Sequence, residues 1–449
     1  MWAALVLLVY VGFCLMLYRQ WRAARRCAAQ AAADLVPAAD GATAVLVAYA
    51  SQTGYAEQLA WQTARMLHTA GVPALLRPLG DVTTEDLQRC ERALFIASTY
   101  GEGDAPDTAA AFARRTMAGD SPLPALNYGV LALGDREYAN FCGFGRRLDE
   151  WLQERGARPL FDRVELDNSD DEALKQWQHL LARVAGTNDL PEWEAPAFET
   201  WRLAERRLLN AGSSGGPCFH IELQGPEAAT WEAGDLAQVL APADPDRPRE
   251  YSIASLPQDG SLQLVVRQER HADGTLGVAS GWLTQSTPIG GNVALRLRPH
   301  RNFRIGENLS RPLLLIGNGT GIAGLRSHLK ARARVPAGER VPCWLVFGER
   351  QSAHDRCFAD EIEAWLAQGT LAHADLVYSR DQAQRRYVQH ALADHAGRLR
   401  EWLAKGMAIY VCGSLEGMAT GVDESLRDAL GRDTLDRLAE EGRYRRDVY

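Results

Sequence analysis

The sequence lacks the features that mark several common classes of protein. None of its eight cysteines lies in a CxxC spacing, so neither a zinc knuckle nor a disulfide framework is indicated. Basic residues are not in excess: the formal net charge is −8, which argues against a general nucleic-acid binder. No segment is repeated along the chain. We therefore expect reduced thiols, as in a cytoplasmic protein, and no metal site.

The composition that remains is that of a globular protein. Hydrophobic residues make up 46% of the chain and charged residues 24%, far from disordered or collagen-like sequences. A length of 449 residues predicts two or three domains.

One long apolar run opens the chain. Residues 2–18 carry no charge, and four arginines follow directly, the first at Arg19. A helix of this length spans roughly 26 Å, near the shortest that crosses a bilayer. In a secretory signal the basic residues precede the apolar run, whereas here they follow it. By the positive-inside rule, this order predicts that the rest of the chain lies in the cytoplasm. We expect a single-pass inner-membrane anchor at 1–20 and a tether at 21–43; a buried helix or an uncleaved remnant are the alternatives.

Short apolar strands alternate with helical patterns in two parts of the chain. Residues 44–186 and 306–449 show this alternation, which predicts parallel sheets with helices on both faces. Residues 199–305 carry closely spaced strands without helices, which favours a small antiparallel barrel. Residues 187–198 contain two prolines and are predicted to form a linker. In the first part we predict strands at 44–49, 93–98 and 128–133 and helices near 55–68, 107–117 and 144–155.

The first predicted strand leads into a loop of small polar residues that opens a helix. Such a turn binds anions through backbone N–H groups and the helix dipole. It contains no lysine or arginine, so it is not of the Walker type and suits one terminal phosphate. When this loop is taken alone, an ordinary helix cap is the better explanation. Its residues are Ser51, Gln52, Thr53, Gly54, Tyr55 and Ala56.

Two further loops follow the next predicted strands and are expected to meet the first at one edge of the sheet. Each brings a tyrosine that can stack on a flat ring and glycines that allow close approach of the backbone. The candidate binding residues here are Ser98, Thr99, Tyr100, Gly101, Leu133, Gly134, Asp135, Tyr138, Asn140, Phe141 and Cys142.

These three motifs resemble a known family. In order and spacing, SQTGYAE, STYGEGDAPD and LALGDREYANFC are similar to the flavodoxin-like FMN domain of the diflavin reductases. The resemblance implies a doubly wound α/β domain that binds FMN. It implies that Ser51–Ala56 hold the phosphate and that the isoalloxazine lies between Tyr100 and Tyr138.

Two segments of the β-rich part resemble the FAD-binding barrel of the same family. One offers a guanidinium for a phosphate, a phenol for the ring and a hydroxyl near the reactive nitrogen. The other resembles the helix start around the FAD pyrophosphate. A plain barrel strand and a helix cap are the alternative. The residues are Arg249, Glu250, Tyr251 and Ser252, then Gly277, Val278, Ala279 and Ser280.

The last part resembles the nucleotide-binding half of a ferredoxin-NADP-reductase-like module. A glycine-rich turn follows a strand, and basic residues stand where they accept the 2′-phosphate of NADP, so NADPH is preferred over NADH. The segment SRxxxxKVYVQ of the family is matched with arginine in place of its lysine. The residues are Gly319, Thr320, Ser379, Arg380, Arg385, Tyr387 and Gln389.

The end of the chain also resembles the family, whose tail folds back over the FAD ring. By resemblance, Ser252, Cys412 and Asp447 surround the position of hydride transfer, and Tyr449 shields the ring. Cys412 as a small core residue is the alternative. Two departures stand out: no long connecting segment precedes the Arg249 motif, and Gly421 stands where family members often have an acid.

The expected function is that of an NADPH-dependent diflavin reductase. Electrons pass from NADPH to FAD, then to FMN, and then to an external one-electron acceptor, a haem protein or a membrane-associated partner. A sulfite reductase flavoprotein and a ferric-chelate reductase remain alternatives, as does a flavin-binding sensor or scaffold without turnover. Acidic residues near the FMN loops, such as Glu102, Asp104 and Asp107, can steer a basic acceptor or simply form a solvated face.

Overall fold

A computed structural model describes residues 44–136, 138–167, 171–187 and 197–449. The predicted anchor at 1–20 and tether at 21–43 lie outside these residues, as does most of the predicted linker. Among the described helices, none is both long and apolar enough to cross a membrane.

The first module is a parallel six-stranded sheet in the order β2-β1-β3-β4-β5, with β6 also paired to β4. Alternate residues of β1 face opposite sides: Leu46 packs in the core with Phe112 and Leu148, and Val47 in the core with Leu59. The strands are β1 (Val45–Ala50), β2 (Ala74–Pro78), β3 (Arg92–Ser98), β4 (Asn127–Gly134), β5 (Arg158–Pro159) and β6 (Val164–Asp167). The helices are α1 (Tyr55–Thr69), α2 (Thr84–Arg89), α3 (Ala110–Arg115), α4 (Gly143–Glu154) and α5 (Asp171–Ala185).

The second module is an antiparallel sheet in the order β10-β9-β12-β7-β8-β11, closed by a bridge between Ile253 and Leu264. Strands β9 and β10 form a hairpin in which Ala241 pairs with Asp244. A tight turn therefore stands where the family resemblance implies a long connecting segment. The elements are β7 (Glu199–Leu208), β8 (Cys218–Gln224), β9 (Leu236–Ala241), β10 (Asp244–Ser252), β11 (Leu262–Arg267), α6 (Val278–Gly281) and β12 (Asn292–Arg298).

The third module is a parallel five-stranded sheet in the order β15-β14-β13-β16-β17. Its strands are β13 (Leu313–Asn318), β14 (Cys343–Glu349), β15 (Leu371–Tyr378), β16 (Ala408–Gly413) and β17 (Tyr444–Val448). Its helices are α7 (Ile322–Ala333), α8 (Ala359–Ala367), α9 (Val388–Asp394), α10 (Ala396–Ala404), α11 (Thr420–Leu430) and α12 (Arg432–Glu440).

The structure departs from the predicted elements mainly at edge strands and short helices. Strand β1 begins one residue later than predicted, at Val45, and the helix predicted at 107–117 is reduced to α3 after a 3-10 turn that follows Pro106. Strands β2, β5, β6 and β17 and helices α2, α5, α9, α10 and α12 were not predicted. Edge strands such as β2 are only partly buried, so they lack the continuous apolar run of central parallel strands.

Candidate functional site

Three loops of the first sheet meet at the carboxyl ends of their strands and form one cleft. The cleft encloses about 1150 Å³, including its open mouth. Of the predicted residues, those that line it are Gln52, Thr53, Tyr55, Ser98, Thr99, Tyr100, Gly101, Leu133, Gly134, Asp135, Tyr138, Asn140, Phe141 and Cys142. Ser51 and Ala56 are instead buried behind the lining.

The first loop has the character of an anion site. Helix α1 begins at Tyr55, after Gly54, and no side chain caps its N-terminus. Gly54 has φ +89°, and a Cβ there would lie 3.0 Å from the carbonyl oxygen of Pro299. The backbone N–H groups of a helix start without a side-chain acceptor suit a phosphate. The loop therefore fits the phosphate end of FMN.

The structure places the Gln52 side chain away from a phosphate role. Its amide nitrogen donates to Asp107 Oδ2 at 3.2 Å and to the carbonyl oxygen of Arg446 at 3.0 Å. Its amide oxygen accepts from the Asp107 backbone N–H at 3.0 Å. Gln52 thus joins the first module to the C-terminal strand, a partner that loop chemistry alone does not reveal.

Both predicted tyrosines stand at the cleft. The guanidinium carbon of Arg446 lies 4.9 Å from the centre of the Tyr100 ring, and the Tyr100 hydroxyl is buried without a hydrogen-bond partner. Asn140 Nδ2 donates to the carbonyl of Glu102 at 2.8 Å and ties the second loop to the third. Two aromatic side chains on loops held together in this way fit a flat ring system.

The FAD-motif side opens into the same cleft. Gln238, Glu250, Arg298, Val448 and Tyr449 line it opposite the FMN loops.

Within the Arg249 motif, the side chains of Arg249 and Glu250 already have protein partners. Arg249 donates to the carbonyl of Arg247 at 2.9 Å, and Glu250 accepts from Gln238 Nε2 at 2.7 Å. Tyr251 is half-buried between them and Ser252.

The Gly277–Ser280 segment begins helix α6 after the barrel strand β11. Val278 is exposed, whereas Ala279 and Ser280 are buried. The Ser280 hydroxyl accepts from the Glu269 backbone N–H at 3.2 Å and so fixes the helix start. A Cβ on Gly277 would lie 2.7 Å from that hydroxyl, so a larger residue would require the Ser280 side chain to move.

The predicted hydride-transfer residues lie together. Ser252 Oγ donates to Asp447 Oδ2 at 2.7 Å, and Cys412 Sγ lies 3.6 Å from the same oxygen. Parallel pairing of β17 with β16 sets Asp447 opposite Cys412. Burial raises the pKa of the Cys412 thiol well above its ordinary value, so the thiol keeps its proton.

The C-terminal residue is held against the glycine-rich turn. Its backbone N–H donates to Gly413 O at 3.1 Å and its carbonyl accepts from Leu415 N at 2.9 Å. The Tyr449 hydroxyl donates to Thr320 Oγ1 at 3.0 Å, while half of the side chain stays exposed. Tyr449 is therefore positioned by the strand end, and its role as a ring shield stays a prediction.

The glycine-rich turn is shaped by close packing. Gly319 has φ +54°, and a Cβ on Gly321 would lie 2.0 Å from the carbonyl oxygen of Cys412. A Cβ on Gly421 would lie 2.8 Å from Gln389 Nε2, so the Gln389 amide occupies the space next to this glycine.

Basic residues beyond β15 leave charge available to a ligand. Arg380 and Arg385 are exposed, while Ser379 is buried at the strand end. Arg386 pairs with Asp394 instead. Two exposed guanidinium groups fit a 2′-phosphate.

Sequence reasoning missed the residues that join the modules. Arg298, His300 and Asn302 of the barrel contact the Ser51–Thr53 backbone, and Arg446 pairs with Asp107. The basic run RPHR (298–301), which begins at the end of a predicted strand, is the feature of the sequence that could have indicated this contact between modules.

Two family models match the chain. The Flavodoxin model covers residues 47–177, and the Oxidoreductase NAD-binding domain model covers residues 315–424.

Similar proteins share one description, "Sulfite reductase [NADPH] flavoprotein alpha-component". That of Vibrio cholerae O395 is 26% identical, with 93% of this chain and 89% of the relative covered. Those of Bacillus subtilis 168 and Neisseria meningitidis serogroup C are 25% and 27% identical, each covering 90% of this chain and 89% of the relative. The first alignment spans 552 positions, more than the length of this chain, so that relative contains residues that this chain lacks. Together with the flavodoxin sheet, the barrel and the nucleotide-binding sheet, these similarities support assignment of the chain to the diflavin reductases, NADPH-dependent oxidoreductases whose cofactors are FMN, FAD and NADPH.

Proposed function

We propose that this chain passes electrons from NADPH through FAD and FMN to an external one-electron acceptor, with a haem protein as the acceptor class. When bound, the flavins supply the conversion of two-electron to one-electron transfer. The observation that carries the proposal is the shared cleft, in which FMN-motif residues Tyr100 and Tyr138 face FAD-motif residue Glu250 and the shield Tyr449. The Ser252–Asp447–Cys412 group stands beside it, where it orients a nicotinamide and holds protons on Ser252 and Cys412.

Turnover with artificial acceptors tests this proposal. The full chain, reconstituted with both flavins, is expected to oxidise NADPH with cytochrome c or ferricyanide and to prefer NADPH over NADH. Flavin binding without turnover would favour the sensor or scaffold instead.

A sulfite reductase partner is the second candidate, supported by the relatives' description as sulfite reductase flavoprotein components. An acceptor screen separates the candidates: reduction of a sulfite reductase haemoprotein favours this one, and reduction of ferric chelates alone favours a ferric reductase.

We further propose that residues 2–18 anchor the chain in the inner membrane with the flavin modules in the cytoplasm, because an uncharged run precedes four arginines. The full chain is then expected in the membrane fraction and released by detergent. A variant lacking residues 1–43 should stay in the supernatant. Full-length protein in the supernatant would overturn the anchor.

A further inference from the structure

A buried arginine of the barrel reaches the FMN phosphate loop. Arg298 is the last residue of β12 and is 7% exposed. Its Nη2 donates to the carbonyl oxygen of Thr53 at 3.0 Å and also contacts the Thr53 hydroxyl oxygen. Its Nη1 pairs with Glu250 of the FAD motif. One guanidinium therefore connects the two flavin-binding motifs.

One N–H donor of Arg298 is left without a protein partner, although Glu250 pairs with the guanidinium. A guanidinium has five N–H donors, and Arg298 Nε is buried without an acceptor. Burial lowers the pKa of Arg298 to about 10, which still leaves the group charged at pH 7. Arg298 also lines the cleft that contains Thr53. A buried cation with a spare donor beside an anion loop is the arrangement that an additional anion satisfies.

The Thr53 hydroxyl can serve the arginine and a phosphate together. A hydroxyl accepts through its lone pairs and donates through its single hydrogen. Because the Thr53 oxygen accepts from Arg298, its hydrogen remains available to a phosphate oxygen. The loop Ser51–Ala56 contains no basic residue of its own.

The barrel also fixes the loop in place. His300 Nε2 lies 3.1 Å from the carbonyl oxygen of Gln52, and Asn302 Nδ2 donates to the same oxygen at 3.0 Å. Asn302 Nδ2 donates to the carbonyl of Ser51 at 2.6 Å as well. Side chains of the segment 298–302 therefore hold the carbonyl oxygens of the loop, and they place the Arg298 guanidinium next to Thr53.

We propose that Arg298 completes the FMN phosphate site from the neighbouring barrel, as the cation that the loop itself lacks. Binding of the phosphate monoester and docking of the flavodoxin-like module then favour each other, because the site is complete only when the modules are in contact. The inference rests on the assignment of FMN to this cleft.

The test compares flavin affinities of the full chain after removal of FMN. Binding of FMN and of riboflavin, which lacks the phosphate, is followed by flavin fluorescence quenching at fixed ionic strength. Arg298→Gln is expected to weaken FMN binding about 10-fold or more and to leave riboflavin binding unchanged. Arg298→Lys should recover part of the loss, since it restores the charge.

Arg301→Gln is the matched control. Arg301 lies on the same segment and pairs with Glu57 across the same module boundary at 2.6 Å, but it is exposed. FAD content and the melting temperature report on folding. Two results would show that Arg298 acts through docking or folding only. One is an equal loss of FMN affinity in Arg298→Gln and Arg301→Gln, and the other is a loss of riboflavin affinity in Arg298→Gln as large as its loss of FMN affinity. Unchanged FMN affinity in Arg298→Gln would overturn the proposal, whereas a wild-type chain that binds no FMN would overturn the proposed function itself.

Discussion

Asp447 is the residue on which the polar groups of the hydride-transfer region converge. Its carboxylate accepts from Ser252 and contacts Cys412, and His300 Nδ1 lies 4.0 Å away. Asp447 and Cys412 are almost fully buried, so these contacts are protected from water. Under the proposed function, rigid placement of a hydroxyl and a thiol in this dry site positions the nicotinamide.

Replacement of Ser252 by alanine is expected to slow reduction of the bound flavin by NADPH about 10-fold to 100-fold, because a hydrogen bond to a buried charge is lost. Stopped-flow absorbance at the flavin band measures the rate. Ser255→Ala is the control, since that buried hydroxyl donates to Ser261 O at 2.9 Å and lies outside the Asp447 group. An unchanged rate in Ser252→Ala would remove Ser252 from the hydride-transfer site.

His220 makes the fold sensitive to acid. Burial lowers its pKa to about 4, so the folded protein keeps the ring neutral while the unfolded chain takes a proton below about pH 6.5. The contribution of His220 to the free energy of unfolding is therefore fully present above pH 6.5. It decreases as the pH drops toward 4 and is about 2 kcal/mol smaller at pH 5. The melting temperature of His220→Gln should therefore decrease less between pH 7 and pH 5 than that of the wild type. The exposed His271→Gln should behave like the wild type, and a His220→Gln profile parallel to the wild type would contradict the prediction.

The placement of a side chain could be predicted where it depends on the residue and its own loop. Tyr100, Tyr138 and Tyr449 line the cleft that their motifs indicate and Ser252 contacts Asp447, while their cofactor roles stay predictions. The side-chain partner of Gln52 could not be predicted, because Arg446 lies 394 positions further along the chain.

At the scale of elements, the glycine-rich turn after β13 is determined by packing against β16. We expect Gly321→Ala to destabilise the third module by about 2 kcal/mol or more, since its Cβ would overlap a backbone carbonyl that cannot move freely. Thermal unfolding measures the loss. Gly338→Ala, in open space, should change the melting temperature little. Equal melting temperatures for both variants would show that the turn relaxes without cost.

Strand β17 is a structural element as well as the carrier of Asp447. Tyr444 is 5% exposed, and its hydroxyl donates to Asp423 Oδ1 at 3.1 Å. Tyr444→Ala is expected to lower the free energy of unfolding by about 3–5 kcal/mol because it leaves a cavity. Tyr449→Ala, on the same tail but half exposed, should cost less than about 0.5 kcal/mol. Chemical denaturation of the two variants makes the comparison, and similar losses would mean that the tail contributes as a unit.

In the whole molecule, the hairpin between β9 and β10 replaces a connecting segment, and direct contacts hold the flavodoxin-like module to the other two. Among the described residues, five ion pairs cross this boundary. Arg114 pairs with both Asp436 and Glu440, Arg115 with Glu440, Arg301 with Glu57, and Arg446 with Asp107. Exposed pairs each contribute little and are screened by salt.

Docking should therefore depend on ionic strength. We expect the radius of gyration, measured by small-angle X-ray scattering, to increase as salt is raised, and Asp107→Asn to shift this increase to lower salt. Asp104→Asn is the control, because its backbone N–H bonds within its own loop, to Tyr100 O at 2.8 Å. A radius that is constant with salt in all three proteins would show that contacts other than ion pairs hold the modules together.

The sequence by itself determined the modules and most of the residues at their loops. Strand and helix periodicity is local, and the loops that follow parallel strands must gather at one sheet edge, so motifs such as Ser51–Ala56 are legible without coordinates. The tertiary structure alone decided that β17 pairs with β16, that Gly321 touches Cys412, and that Arg298 reaches Thr53. These contacts join residues far apart in the chain, and they follow from how three finished modules pack, which no local pattern encodes.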